Sequence, residues 1–159
     1  GCLRAFDRLL SAGATFENVA DIGCGTAVLA MAAAKVSDTP AYASDIDEVA
    51  VAVAQSNVDA NDLAGRVICL EAAGFRHETL AAKAPFDLVF ANILKGPLVA
   101  LAPDVAAHTK DGGSVILSGI LNPQAAQVIE VYTNNGFTLV HHEEIIDWST
   151  LTLTKTAAS

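Results

Sequence analysis

Cysteine is scarce in this chain. The three present, Cys2, Cys24 and Cys69, are odd in number and lack paired spacing, which excludes a disulfide framework. No Cys/His cluster has zinc-ligand spacing, so no metal is expected. Reduced thiols are the simplest account and fit a cytoplasmic protein. Basic residues are scarce too. Nine Lys and Arg stand against eighteen Asp and Glu, a formal net charge of −9. That balance argues against a broad basic surface for a phosphate backbone, and no direct nucleic-acid partner is expected. It suits a basic protein partner, or solubility alone. No run reaches the ~18–20 apolar residues of a bilayer span, so no membrane partner is expected. No signal peptide is visible; the chain opens directly into a helix-like segment. Internal repeats and low-complexity linkers are also missing.

What is present is 159 residues, 52% of them apolar. That is enough for one domain with a sizeable core and too apolar for general disorder. Leu3, Phe6, Leu9 and Leu10 fall at helical spacing and predict a helix over 2–12. Asn18–Ile22 reads as a short buried strand. Val28, Leu29, Ala32, Ala33 and Val36 recur as one face of a helix. Pro40–Asp45 is a second strand, and Asp47 can cap the next helix, with Val49, Ala50, Val53, Ala54 and Val58 as its apolar face. Arg66–Leu70 is a third strand. A weakly patterned stretch precedes the fourth, Phe86–Ala91. Leu98, Leu101, Ala102 and Val105 predict a helix after it. Gly112-Gly113 punctuates before a fifth strand, Ser114–Ser118. Pro123 can open a further helix carrying Val128, Ile129 and Tyr132, which Asn135-Gly136 would end. Residues 137–143 and 145–154 are strand-like with no helix between them, an antiparallel pair. Five strand–helix units and a hairpin imply an α/β protein whose largely parallel sheet carries helices on both faces.

In such a sheet, ligands bind outside the carboxyl ends of the strands, near the point where strand order reverses. The first strand ends in Asp21-Ile22-Gly23-Cys24-Gly25-Thr26-Ala27. Gly23 and Gly25 permit a tight turn and close backbone approach, and the next helix presents unpaired N–H groups at its start. A dinucleotide fingerprint needs a third glycine three residues after the second; Val28 stands there, which disfavours a pyrophosphate. An acid just before the turn suits a nucleoside cofactor bearing a positively charged amino-acid portion. Asp45 lies twenty positions after Gly25, at the end of the second strand, where an acid can accept bonds from both ribose hydroxyls. Ile46 follows it into the same region. Asn92, at the end of the fourth strand, can accept a hydrogen bond from a substrate amine and orient its lone pair; it can also serve only as a turn residue. Glu71-Ala72-Ala73-Gly74 can border an adenine, and Ser118-Gly119 can face the same cleft. Cys24 reads as a small residue in tight space, because no base stands near to make it a nucleophile. His77 and His108 read as surface residues. Trp148 reads as core or hairpin packing more than as the rim of a substrate mouth.

Asp45-Ile46-Asp47 with Asn57 and Asn61, Ala91-Asn92-Ile93-Leu94, Leu101-Ala102-Pro103, Gly112-Gly113 and Ser118-Gly119-Ile120-Leu121 occur here with the glycine turn. Over nearly its whole length the chain resembles the PrmA family of ribosomal protein methyltransferases. The resemblance implies a Rossmann-like class I methyltransferase with a seven-stranded, mostly parallel sheet ending in an antiparallel hairpin. It implies S-adenosylmethionine as cofactor, and lysine amines and an N-terminal α-amine of a large-subunit ribosomal protein as substrates. Asp21, Gly23, Cys24, Gly25, Asp45, Ile46 and Asn92 would bind the cofactor, with Asn92 also the catalytic residue. Residues 1–159 would be one catalytic domain. The family's upstream domain that docks the ribosomal protein, and its Gly-Thr segment beside the cofactor, lie outside these residues. Ala27 stands where many relatives have a third glycine, and Asp147-Trp148-Ser149 where the family tends to have Glu-Trp-Val. The other readings are a methyltransferase for a small molecule or nucleic acid, a non-catalytic domain that binds the same cofactor, and a nicotinamide-dependent oxidoreductase.

Overall fold

A computed structural model describes residues 1–156. The elements run α1 (Cys2–Ser11), β1 (Val19–Ile22), α2 (Val28–Lys35), β2 (Ala41–Asp45), α3 (Glu48–Ala60), β3 (Val67–Glu71) and α4 (Glu78–Lys83). They continue β4 (Phe86–Asn92), α5 (Lys95–His108), β5 (Thr109–Leu121), a 3-10 turn (Asn122–Gln124), α6 (Ala125–Asn134), β6 (Phe137–Ile145) and β7 (Trp148–Lys155). The seven strands form one sheet in the order β3-β2-β1-β4-β5-β7-β6. β1 to β5 are parallel, and β7 runs antiparallel to both of its neighbours, β5 and β6. The chain leaves β1 toward β2 and β3, then returns to place β4 on the other side. The reversal of strand order therefore falls between β1 and β4, and the crevice it opens is where such sheets bind ligands.

Alternation along the strands divides the core in two. Val19, Ala41, Ala43, Val67, Leu88, Phe90 and Ile116 face α1, α2 and α3, where Phe6, Met31, Ala34, Ala54 and Val58 meet them. Ala20, Ile22, Tyr42, Val89, Ala91, Val115, Leu117, Leu151 and Leu153 face the other way, against Leu80 of α4, Leu98, Ala102 and Val105 of α5, and Val128 and Tyr132 of α6. Strands buried on both faces read as continuous apolar runs, which is why β1 and β4 are plain in the sequence. Tyr132 is fully buried, and its hydroxyl donates to the Leu98 carbonyl at 2.8 Å, joining α6 to α5.

Two helix faces differ from expectation. On α2 the buried residues are Ala30, Met31, Ala33 and Ala34, while Val28 and Val36 are exposed. On α3 only Ala54 and Val58 are buried, and Val49 and Val53 are exposed. Both helices carry small apolar residues on several sides, so spacing alone does not single out the packed face. The weakly patterned stretch holds the short α4. Gly112-Gly113 lies inside β5 at a register shift against β4, so the strand begins earlier than its punctuation suggests. Trp148 is 51% exposed, a departure from core packing. It pairs with Leu121 at the carboxyl end of β5, a position that presents its indole to solvent. His108 is half-buried and stacks on Phe75, with ring centroids 4.4 Å apart and planes 9° from parallel. No helix among the described residues is long and apolar enough to cross a membrane. The expected span of 1–159 includes three residues, 157–159, outside those described.

Candidate active site

The glycine turn leaves β1 with Gly23 at φ +69°, Gly25 at +53° and Ala27 at +65°. These are left-handed values that glycine adopts freely and alanine only under strain. Ala27 thus holds, at some cost, the conformation that a glycine would favour. Three contacts fix the turn. The Cys24 N–H donates to the Ser44 carbonyl at 2.9 Å, the Gly25 N–H donates to Asp45 Oδ2 at 3.1 Å, and Asn57 Nδ2 donates to the Thr26 carbonyl at 3.0 Å. The last gives Asn57 a physical role, tying α3 to the turn. At Gly23 an added Cβ would lie 2.4 Å from Ile93 Cγ2, whereas at Gly25 it would meet nothing within 4 Å. Gly23 is needed for packing between the turn and the loop after β4. Gly25 keeps open space.

Two cavities lie along this turn and share Gly23. The smaller, about 220 Å³, is lined by Asp21, Gly23, Cys24, Gly25, Thr26, Val28, Leu29 and Asn92. The larger, about 610 Å³, lies between the ends of β2, β3 and β4 and the start of α5; Asp45, Ile46, Ala72, Ala73, Gly74, Ile93 and Leu101 are among its walls. Its volume is within the range of small-molecule sites. Asp21, Gly23, Cys24, Gly25, Asp45, Ile46 and Asn92 therefore each line one cavity or the other, as do Ala72, Ala73 and Gly74 but not Glu71.

Asp21 is 1% exposed. Its Oδ2 accepts from the Ala30 N–H at 3.2 Å, while Oδ1 is buried with no hydrogen-bond partner. Burial pushes its pKa up to about 7; the Ala30 bond opposes the rise and the Asp45 charge adds to it. Such an orphaned oxygen is costly unless a ligand completes it. Asp45 uses one oxygen on the Gly25 N–H and the other on the Asp47 N–H at 3.0 Å. A carboxylate accepts about four hydrogen bonds, so it can hold the turn and still receive hydroxyls from the larger cavity. Asp47 caps α3 by accepting from the Val49 N–H at 2.9 Å, which separates the capping role from Asp45. Burial, before the neighbouring carboxylates, raises the Cys24 thiol far above its ordinary pKa, so it is no nucleophile.

Ser118 and Gly119 do not line either cavity. Ser118 Oγ pairs with Thr150 Oγ1 at 3.2 Å. An added Cβ on Gly119 would come within 2.6 Å of the Ile93 carbonyl oxygen and 3.0 Å of Asn92 Oδ1. Gly119 thus backs the Asn92 loop without facing a ligand. The sequence reading missed one wall of the larger cavity: Pro97, Ala100, Leu101 and Asp104 of α5, together with Arg76. Pro97, Ala100, Leu101 and Asp104 follow i, i+3, i+4, i+7 spacing, one residue out of phase with the core stripe; of the four, the sequence reading names only Leu101, as core, and the spacing by itself does not mark a cavity wall. No group of three or more His, Cys, Asp or Glu among the described residues could hold a metal ion.

A parallel five-stranded body extended by an antiparallel β7 between β5 and β6, with an acid–glycine turn at the crevice, defines the class I methyltransferase fold. Residues 1–156 match the family model for ribosomal protein L11 methyltransferase (PrmA), and the chain belongs to that family. It is 46% identical over 154 residues to a ribosomal protein L11 methyltransferase of Chelativorans sp. (strain BNC1), covering 95% of this chain and 52% of that protein. It is 45% identical over 156 residues to one of Rhodopseudomonas palustris (strain BisB5), covering 98% and 52%. The chain thus spans about half the length of these relatives. The crystal structure of a ribosomal protein L11 methylase from Lactobacillus delbrueckii subsp. bulgaricus superposes with a TM-score of 0.86 at 25% identity, covering 98% of this chain and 77% of that one.

Proposed function

We propose that residues 1–159 form the catalytic domain of an enzyme that transfers methyl groups from S-adenosylmethionine to lysine and N-terminal α-amines of ribosomal protein L11. The observation that carries this reading is the orphaned Oδ1 of Asp21 beside a small cavity that joins, at Gly23, a larger one under Asp45. The smaller cavity suits an amino-acid portion whose ammonium completes Asp21. The larger suits an adenosine whose ribose meets Asp45. Among the described residues, Asp21, Asp45 and Asp104 line these cavities with Arg76 as the one cationic side chain, which favours a cationic ligand over a pyrophosphate. The open space at Gly25 leaves room for the ligand where any larger residue would intrude.

When bound, S-adenosylmethionine supplies a methyl group already activated on sulfonium, so positioning provides much of the rate. Asn92 lines the smaller cavity and is exposed at its mouth. Its side-chain oxygen accepts an N–H of the substrate amine and fixes the direction of the lone pair. An ordinary lysine ammonium has a pKa of about 10.4, so it must lose a proton first. The carboxylates here are committed to the turn and the cofactor, and solvent at the exposed mouth takes that proton. The chain's acidity suits a basic protein substrate and not a nucleic acid. A ribosomal-protein substrate supports the reading of a cytoplasmic enzyme. Calorimetry with S-adenosylhomocysteine tests the cofactor site, and methylation of purified L11 by the full-length enzyme tests the substrate. Micromolar binding and label on L11 are expected; absence of binding removes the reading, and binding without label removes the substrate.

A further inference from the structure

The turn between β6 and β7 carries a conformational cost that packing does not explain. It has two residues, Ile146 and Asp147, and hairpin turns of this length favour glycine or asparagine where φ is positive. Here Ile146 holds φ +57°, a conformation that a β-branched residue adopts only under strain. It is also 86% exposed. Asn122 imposes the conformation. Its Nδ2 donates to the Ile146 carbonyl and its backbone N–H to the Asp147 carbonyl, both at 2.9 Å. Asn122 Oδ1 in turn accepts from the buried Ser149 hydroxyl at 2.8 Å, and that hydroxyl lies 2.9 Å from His142 Nε2. Strain of this kind persists where the surroundings over-determine it, and it clusters at active sites and ligand clamps.

Behind the tip, Trp148 pairs with Leu121 on one side and with Ile145 on the other. Directly opposed residues share a face of the sheet, so the three form an exposed apolar row. Glu143, two residues before Ile145, is bonded to Arg4 and Arg8 of α1. The row therefore lies on the α1 face, which Phe90 and, two residues on, Asn92 also share. Asn92 pairs with Ser118, Ser118 Oγ meets Thr150 Oγ1 at 3.2 Å, and Trp148 lies two residues from Thr150. By strand spacing the row stands roughly 10–12 Å from Asn92, about three or four residues of extended chain. Glu143 is neutralised by its arginines. Glu144 and Asp147, which flank the two isoleucines, are exposed carboxylates, and Glu144 has His142 at 3.9 Å. We propose that Ile146, with this apolar row behind it, is a docking surface for a basic segment of the protein substrate. The segment seats an apolar side chain against Ile146 and its cations against Glu144 and Asp147, outside the transfer site at Asn92. This rests on the substrate reading proposed above and adds where the substrate protein is gripped. An exposed apolar cluster flanked by acids fits a cationic polypeptide and repels an acidic one.

The test is steady-state methylation of L11 by the full-length enzyme and its Ile146→Asn variant, with urea denaturation of both. Asparagine tolerates the left-handed backbone and removes the apolar side chain. The urea midpoint is expected to stay level or rise. Turnover at saturating L11 and affinity for S-adenosylhomocysteine are expected to stay within about twofold, while KM for L11 rises about tenfold. Asp147→Asn is expected to raise that KM about two- to threefold at low salt, an effect that fades as salt is added. An unchanged KM in Ile146→Asn overturns the assignment while leaving methylation of L11 standing. A lowered urea midpoint in that variant marks Ile146 as covered by another part of the full-length chain, and loss of a dimer on sedimentation marks it as covered by a second copy; either result also overturns the assignment. A wild type that binds S-adenosylhomocysteine but puts no label on L11 removes the substrate reading and this docking surface together.

Discussion

Replacing Asp21 by Asn should flatten one component of the chain's pH-dependent stability. The carboxyl is fully enclosed, one oxygen has no partner, and burial raises its pKa from 3.8 to about 7. Between those values the folded chain holds a proton that the unfolded chain has released. Stability therefore falls as pH rises through this window, is greatest below the unfolded pKa, and levels off above the folded one. One pKa unit corresponds to about 1.4 kcal/mol. Integrating the linkage relation between pH 5 and pH 8 with these two values gives a loss of roughly 2–3 kcal/mol from this single group. Asn cannot ionise, and its amide oxygen can still accept from the Ala30 N–H. The substitution adds a constant offset but no slope. Urea denaturation of the ligand-free chain at pH 5, 6, 7 and 8 measures both proteins. The difference between them cancels the histidines and every other shared group. Wild type should lose roughly 2–3 kcal/mol relative to Asp21→Asn across that range. Parallel curves would show that Asp21 titrates as an ordinary carboxylate and that its enclosure is an incorrect description. Under the proposed function a bound ammonium ionises Asp21 and expels the proton. Affinity for S-adenosylhomocysteine should then rise with pH up to about 7, and Asp21→Asn should lose both the affinity and the proton release.

Under the proposed function, Asn92→Ala in the full-length enzyme should lower turnover on L11 by about a hundredfold with a much smaller change in S-adenosylhomocysteine affinity, measured by steady-state kinetics and calorimetry. Gly25→Ala should cost roughly 1–2 kcal/mol of stability from its left-handed backbone, yet abolish measurable cofactor binding because its methyl group enters open cavity space. Gly23→Ala should be the more destabilising of the two in urea, because the new methyl meets Ile93. Tyr132→Phe should lose about 1–2 kcal/mol by leaving the buried Leu98 carbonyl without its donor, with cofactor affinity unchanged.

β1, β2 and β4 were legible because they are parallel and buried on both faces, so each appears as a short, largely apolar run between turn signals. The hairpin was legible from Leu151 and Leu153 alternating with threonines. Helix faces were harder. In α2, where Val28 is exposed and Ala30 buried, nearly every position is apolar, and only the sheet beneath decides which side packs. The glycine turn and Asp45 were legible because their spacing follows from strand geometry. The wall made by Leu101, Asp104 and Arg76 was not. It exists only once α5 folds back over the loop after β3, and no local pattern records that meeting. The double duty of Asp45, holding Gly25 while facing the cavity, likewise arises from a contact between separate units.

The place of β7 between β5 and β6 sets the order in which the sheet can be finished during synthesis. β6 leaves the ribosome before β7 but, among the described residues, borders β7 alone, so until Trp148–Lys155 emerges it has none of these strands to pair with, and β5 presents an open edge. Unpaired edges of this kind recruit other chains. Among the described residues, β7 therefore acts as the keystone of this sheet. A nascent chain arrested before it would carry two adhesive edges, and a chain truncated within it would be a strong candidate for aggregation and chaperone capture.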